Sequence, residues 1–113
     1  MKKFLLSALC AFSTTAFVQA QNQITPVVEH FTQASCGPCA SQNPTLYNTL
    51  STFGSGNYVK LTYQTSWPGV DPMNAEYAAG PNDRRLYYGV SGVPNASLNG
   101  NAVDGSVTNY TDS

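Results

Sequence analysis

Residues 24–53 read ITPVVEHFTQASCGPCASQNPTLYNTLSTF, and they place Cys36-Gly37-Pro38-Cys39 between two different patterns. The run before this motif, residues 24–31, is apolar and β-branched and predicts a strand. The run after it carries apolar residues at helical spacing and predicts a helix that begins near the first cysteine. Two cysteines are therefore expected at the junction between a buried strand and a helix.

The next segments complete a strand–helix–strand unit. Leu46, Leu50 and Phe53 follow one another at the spacing of one apolar helix face. The glycines of residues 54–56 are expected to end the helix. Residues 58–63, YVKLTY, then predict a second strand. Strand, helix and strand in this order are typical of a parallel βαβ unit.

A long irregular stretch follows at residues 64–82, QTSWPGVDPMNAEYAAGPN, rich in proline, glycine and asparagine. We expect a surface excursion here, with one helical turn at residues 73–78. Asn82 or Asp83 is expected to cap a short helix that ends at Gly89.

The last predicted elements form a hairpin. Residues 95–98 predict a third strand, and Asn99-Gly100 is a strong signal for a two-residue hairpin turn. An antiparallel partner strand is therefore expected to begin at Ala102.

The first 20 residues are predicted to be a signal peptide. Lys2 and Lys3 form its basic start, residues 4–18 are mostly apolar, and Ala20 precedes the expected cleavage site. An N-terminal anchor that is never cleaved is the alternative. Cleavage leaves residues 21–113, which suit one domain in an oxidising compartment where disulfides persist.

The charge and hydropathy of the chain restrict the classes of partner that it can be expected to bind. Three basic and six acidic residues remain after residue 20, a net charge of −3. No basic stripe is present, so nucleic acid is not an expected partner. The rest of the chain holds no second apolar span, so no stable membrane span is expected in the mature protein.

The cysteine pair itself predicts redox chemistry. Cys36 and Cys39 are the only cysteines after residue 20, and the loop that they would close is too small to stabilise the fold appreciably. The alternatives are a structural disulfide or half of a zinc site. A structural zinc ion needs four ligands, and His30 is the only histidine. No metal or cofactor is expected.

Several features together resemble the thioredoxin superfamily. A buried strand runs into the CGPC motif, and Pro44 lies five residues after Cys39, as in the active-site helix of that family. Residues 88–94, YGVSGVP, are similar to the segment that ends in the family's cis-proline. The resemblance covers about residues 24–105.

Some positions depart from the cytosolic thioredoxins. Ser35 stands where they carry tryptophan, and His30 stands where they carry a buried aspartate, with Glu29 beside it. The excursion at residues 64–81 is also longer than theirs. These differences resemble the exported thioredoxin-like proteins of Bacteroidetes, in which the segments at residues 29–32 and 65–74 look similar.

The resemblance implies an α/β fold, a thioredoxin-like mixed sheet flanked by helices on both faces. Only 19 residues follow Pro94, and the last four show no apolar helical face. We therefore expect residues 21–113 to lack a complete C-terminal helix. A fragment of a longer protein and a truncated domain are both open explanations.

The resemblance also implies a mechanism for an exported thiol–disulfide oxidoreductase. Cys36 would be the nucleophile, its thiol pKa lowered from about 8.5 toward neutrality at the helix N-terminus, and Cys39 would resolve the mixed disulfide. Pro94 would form a cis bond opposite the cysteines, and the backbone of Val93 would pair with a bound peptide. Gly37 and Pro38 would support the site by close approach and a fixed φ.

Other questions stay open at this point. Members of the family place a buried acidic side chain beneath the second cysteine. In this chain His30 stands at the matching position, whereas Glu29 has the matching residue type. The alternative is that both side chains are exposed on the strand. The expected partners are disulfide-containing exported proteins or a redox partner protein, in the periplasm, at the outer membrane or outside the cell. Reductase, oxidase and isomerase are all open. A catalytically weak binding or adaptor domain of a larger cell-envelope protein is the alternative function.

Overall fold

The computed structural model describes residues 24–102 of the chain. Their helices and strands follow in the order β1 (Val27–Thr32), α1 (Gly37–Thr52), β2 (Val59–Gln64), α2 (Pro72–Glu76), α3 (Ala79–Tyr87), β3 (Asn95–Leu98) and β4 (Asn101–Ala102). The predicted signal peptide and the last eleven residues, where a C-terminal helix was in question, lie outside the described residues.

The four strands form one mixed sheet in the order β2-β1-β3-β4. β1 pairs parallel with β2 from Val27 opposite Val59 to Thr32 opposite Gln64, which confirms the predicted βαβ unit. β3 runs antiparallel to β1 on its other side. The ends of β1 and β2 and the beginning of β3 therefore lie at one edge of the sheet, which is where the cysteines follow β1.

The apolar face of α1 packs on one face of this sheet. Leu46 and Leu50 are buried in one cluster with Val28 of β1 and Ala96 of β3. The sequence prediction was wrong for Phe53, which is half-exposed. Helix α1 ends at Thr52, so Phe53 is its C-cap residue and lies beyond the packed turns.

The other face of the sheet carries α3. Because neighbouring residues of a strand point to opposite faces, Val28 faces α1 while Glu29 and Phe31 face away from it. Arg84 of α3 forms an ion pair with Glu29, and the Tyr88 ring that follows α3 packs edge-on against Phe31. Helices thus lie on both faces of the sheet, which agrees with the predicted α/β class.

The hairpin prediction is confirmed. Asn99 and Gly100 have φ values of 49° and 83°, the left-handed conformations that a type I′ turn requires and that these residue types favour. β4 begins at Asn101, one residue before the predicted Ala102. The Asn99 backbone N–H donates to the Val27 carbonyl oxygen, and the Val27 N–H donates to the Asn99 side-chain oxygen, both at 2.8 Å. These two bonds connect the turn to β1.

The predicted cap of the third helix was wrong. α3 begins at Ala79 rather than after Asn82 or Asp83, and its N-cap, Ala78, makes no side-chain capping bond. The Asn82 N–H donates to the Ala78 carbonyl at 3.0 Å, so Asn82 is a helical residue. Gly80 and Pro81 have low helix propensity, so the sequence pattern gave no indication of this first turn.

Arg84→Lys should lower the Tm by several degrees. The Arg84 Nε and Nη2 groups donate to the two carboxylate oxygens of Glu29 at 2.5 and 2.8 Å, and a lysine cannot reproduce this two-pronged contact to a buried carboxylate. Asp83→Asn on the same helix is the control, because Asp83 is exposed. Thermal unfolding monitored by circular dichroism measures both, and equal drops in Tm would contradict this role of Arg84.

Candidate active site

The two cysteines lie where β1 gives way to α1, and they form a disulfide. Cys36 is the N-cap residue of α1, and its sulfur accepts a hydrogen bond from the Cys39 backbone N–H at 3.0 Å. Pro38 occupies the first turn, where a missing N–H costs nothing. The Cys36 sulfur therefore fills the place that a capping oxygen takes in other helices.

This position favours negative charge on the Cys36 sulfur. The N–H groups of a first helical turn have no partner within the helix, and the helix dipole adds partial positive charge there. The first four residues of α1, GPCA, include no carboxylate to compete for these groups. A thiolate at Cys36 would thus be stabilised by the backbone alone.

The segment before β3 closes over the cysteines from the other side. The Val93–Pro94 peptide bond is cis, as predicted, and Pro94 is buried. The Val93 carbonyl oxygen lies 3.6 Å from the Cys36 sulfur. Since a disulfide sulfur has no proton, this is a contact in the disulfide form, and the reduced thiol can donate a hydrogen bond across it.

A cavity of about 290 Å³ lies between the beginning of α1 and this segment. Its lining combines the start of α1 with the cis-proline loop: Pro38, Gln42, Ser91, Gly92, Val93, Pro94 and Asn95. Gly37 is exposed, and a Cβ added to it would meet no atom of residues 24–102 within 4 Å. The structure thus brings together all six residues that the sequence analysis assigned to the site.

A second cavity, of about 220 Å³, reaches both cysteines. Polar side chains of Thr32, Asn43 and Gln64 line it beside Cys36 and Cys39. Sequence reasoning missed this polar lining, because Thr32, Asn43 and Gln64 belong to three successive elements and meet only when α1 packs on the sheet.

Glu29 is buried on the face of the sheet away from α1. Besides Arg84, its carboxylate accepts hydrogen bonds from the hydroxyls of Tyr63, at 3.0 Å, and Tyr88. The hydrogen bond from Arg84, more than any other cause, holds the pKa of Glu29 below its usual range. Desolvation by burial, followed by the hydrogen bond to Glu29, raises the pKa of Tyr88 to about 12. The carboxylate is fully engaged and points away from the cysteines.

His30 is buried on the face that α1 covers. Its Nε2 lies 3.1 Å from the Asn43 side-chain oxygen, and the Asn43 amide donates to the Thr32 hydroxyl at 3.0 Å. Burial, reinforced by the charge of Lys60, lowers the pKa of His30 to about 4. The imidazole is therefore neutral at pH 7, and its Nδ1 has no hydrogen-bond partner within residues 24–102.

These positions answer part of the question that the sequence left open. Both side chains are buried, so an exposed pair on the strand is wrong. His30 is the one that shares a side of the sheet with the cysteines, and Asn43 connects it to the cavity beside Cys39. Glu29 is separated from that cavity by the sheet itself.

The excursion after β2 folds against the loop that precedes Cys36. Asp71 is buried and accepts from the Ala34 N–H at 2.8 Å, while its second oxygen caps α2. The Ser35 hydroxyl shares its one proton between two acceptors, the Gln33 side-chain oxygen at 3.0 Å and the Val70 carbonyl oxygen at 3.2 Å. Asp71-Pro72 is a recognisable helix start in the sequence, but its bond to Ala34 depends on a contact 37 residues away.

Within residues 24–102 there is no group of three or more His, Cys, Asp or Glu side chains placed to hold a metal ion. No helix in that same stretch is long and apolar enough to cross a membrane.

Comparison with known proteins gives no match: no family model, no curated protein and no solved structure is similar enough to this chain to count as one.

The free energy of unfolding should fall by up to about 3 kcal/mol between pH 6.5 and pH 4 because of His30. The unfolded chain takes up a proton near pH 6.5, whereas the folded protein takes it up only near pH 4, so acid favours unfolding throughout this interval. Below pH 4 both states are protonated and this contribution becomes constant.

Urea denaturation at a series of pH values measures this slope. His30 is the only histidine of the chain, and Glu29 adds its own loss of stability only below about pH 4.5. His30→Phe should therefore flatten the curve between pH 6.5 and pH 4.5, whatever its effect on stability at pH 7. An unchanged slope in that variant would assign the pH dependence to other groups.

Proposed function

We propose that this chain is an exported thiol–disulfide oxidoreductase of thioredoxin-like fold, with Cys36 as the nucleophile and Cys39 as the resolving cysteine. One observation carries the proposal: the Cys36 sulfur caps the first turn of α1, bonded to Cys39, with the Val93 carbonyl 3.6 Å away. A structural crosslink over so short a loop would contribute little, whereas a reactive sulfur benefits directly from a helix N-terminus.

The layout of the fold also supports the thioredoxin-like assignment. β1 leads into the CGPC motif, β2 is its parallel neighbour after α1, and the antiparallel β3 follows cis-Pro94. These features agree with what the sequence resemblance implied. The assignment rests on this agreement between motif and topology.

The proposed reaction proceeds in two exchanges. The Cys36 thiolate attacks one sulfur of a substrate disulfide, the substrate S–S bond breaks, and one substrate thiolate leaves. Cys39 then loses its proton and attacks the Cys36 sulfur, which breaks the mixed disulfide and releases the second substrate thiolate. The substrate gains two electrons and the chain holds the Cys36–Cys39 disulfide. A dithiol or a redox partner protein must return those electrons, and the same steps reversed oxidise a dithiol.

The neighbouring residues have distinct proposed roles. Pro38 sets the backbone of the first helical turn, and exposed Gly37 leaves room for a substrate sulfur to approach. Val93 offers its backbone to an extended substrate segment beside Cys36. The buried cis-Pro94 holds Val93 in that position.

Solvent is the proposed acceptor of the Cys39 proton. Burial lowers the pKa of His30 to about 4, so at pH 7 the imidazole would not retain a proton taken from Cys39, and the proton ends in solvent. His30 is therefore a positioning residue in this proposal: it holds Asn43, which lines the cavity beside Cys39.

The proposed substrates are disulfide-containing exported proteins or small disulfides in the periplasm, at the outer membrane or outside the cell. The signal-peptide pattern of residues 1–20 supports this compartment. The potential of the Cys36–Cys39 pair relative to that compartment decides whether the chain reduces, oxidises or isomerises its substrates.

Cys36→Ser should abolish the reduction of insulin disulfides by the mature protein with dithiothreitol as electron donor, because the attacking sulfur is lost. Turbidity from precipitating insulin chains measures the rate. Thr45→Ala, an exposed change on the same helix, is the control and should leave the rate unchanged. Activity retained in Cys36→Ser would refute the assignment of the nucleophile.

Cys39→Ser should instead accumulate mixed disulfides. The first exchange remains possible in this variant while the second does not, so the substrate stays bound to Cys36. Non-reducing electrophoresis and mass spectrometry of the adduct measure this outcome. An adduct that forms equally with Cys36→Ser would show that the roles of the two cysteines are reversed or unspecific.

A second candidate function is a thioredoxin-like binding or adaptor domain with weak turnover. The observation that favours it is the burial of the nucleophile: Cys36 is only 4% exposed, whereas reactive cysteines are usually partly accessible. An adaptor would bind its partner equally well as wild type and as Cys36→Ser, and would not reduce it.

A further inference from the structure

The topology places two loops on opposite sides of Cys36. β1 lies between β2 and β3 in the sheet. Because β2 is parallel to β1, residues 65–71 leave the sheet at the same edge as the loop before Cys36. Because β3 is antiparallel to β1, residues 90–94 arrive at that edge on the other side. A substrate segment that reaches Cys36 therefore passes between these two loops.

The first of these loops is fixed against the active-site loop. Besides the bonds from Ala34 to Asp71 and from Ser35 to the Val70 carbonyl, Gly69 packs so closely that a Cβ on it would lie 2.3 Å from the Ser35 hydroxyl oxygen. Residue 69 has no room for a side chain while Ser35 keeps its place. This loop therefore offers a fixed surface.

Further contacts hold the beginning of the same loop. The Thr65 backbone N–H donates to the Thr32 carbonyl oxygen at 2.9 Å, and the Thr65 hydroxyl donates to the Trp67 carbonyl oxygen at 2.8 Å. The Arg85 guanidinium lies over the Trp67 ring, 4.8 Å from its centre. The loop is thus connected to β1 at one point and to α3 at another.

Val70 is an apolar side chain of this loop that these contacts leave in solvent. Its carbonyl is bonded to Ser35, the residue before Cys36, yet its side chain is 82% exposed. Because its backbone is already fixed by the neighbouring contacts, binding to Val70 would cost little further ordering of this loop. Ser35 itself is small, so Val70 supplies the apolar surface on this side of Cys36.

Charge is kept away from this surface. Residues 65–70 and 88–95 contain no charged side chain. Asp71 is buried, with one carboxylate oxygen bonded to the Ala34 N–H and the other to the N–H groups of Met73 and Asn74. The surface that flanks Cys36 therefore fits an uncharged, apolar segment.

We propose that Val70 is a specificity-determining residue for protein substrates. It contacts an apolar side chain next to the substrate cysteine, on the side of Cys36 opposite Val93. The preferred substrates are extended segments in which the reactive cysteine has an apolar neighbour. This inference rests on the proposed function, and it adds the class of substrate to it.

The test compares two synthetic disulfide-linked peptides that differ only in the residue beside the cysteine, leucine in one and serine in the other. A third substrate, bis(2-hydroxyethyl) disulfide, is uncharged and carries no apolar side chain for Val70 to contact. The wild type should reduce the leucine peptide with a kcat/KM about fivefold or more above that of the serine peptide. Val70→Ser should bring this ratio close to one.

Ile24→Ser is the matched control, because Ile24 is also 82% exposed but precedes β1, at the opposite end of the sheet. It should keep the wild-type ratio, and Val70→Leu should keep it as well. Ile24→Ser should also reduce bis(2-hydroxyethyl) disulfide at the wild-type rate, and the rate of each Val70 variant with this substrate is the reference for its two peptide rates.

The outcomes distinguish a failure of the proposed role of Val70 from a failure of the proposed oxidoreductase function. A wild type without preference for leucine, or a Val70→Ser variant that keeps the preference, would overturn the role of Val70 while the oxidoreductase proposal stands. Failure of the wild type to reduce even bis(2-hydroxyethyl) disulfide would overturn both.

Discussion

The hydrogen bond from the Cys39 backbone N–H to the Cys36 sulfur both caps α1 and stabilises negative charge on the proposed nucleophile. It exists because β1 ends and α1 begins within a few residues, which leaves the first turn of the helix without internal acceptors. A sulfur in that place satisfies one of these donors and experiences the positive end of the helix dipole. The other parts of the proposed site are arranged around this sulfur.

The two faces of β1 carry two different buried polar groups. On one face, Glu29 neutralises Arg84 and connects the sheet to α3, a contact that serves stability. On the other, His30 is kept neutral by burial and holds Asn43 at the wall of the cavity beside Cys39. Strand alternation thus separates a structural ion pair from a neutral group near the cysteines, although the two residues are adjacent in sequence.

The sequence predicts the local elements well and the long-range contacts poorly. The βαβ unit, the Asn99-Gly100 turn and cis-Pro94 follow from periodicity, turn chemistry and a family resemblance, which are properties of short segments. The burial of Glu29 and His30 depends on α3 and α1 packing on opposite faces, which no local pattern encodes. The bond between Asp71 and Ala34 likewise spans 37 positions, so the loop that presents Val70 emerges only from the folded chain.

The reduction potential of the Cys36–Cys39 disulfide decides whether the pair is a reversible redox centre. The protein would be equilibrated in buffers of defined glutathione or dithiothreitol ratio, quenched with acid, and its free thiols counted by mass after alkylation. We predict a two-electron transition between about −270 and −120 mV, the range of disulfide oxidoreductases. A potential below about −300 mV, typical of structural disulfides, would contradict it.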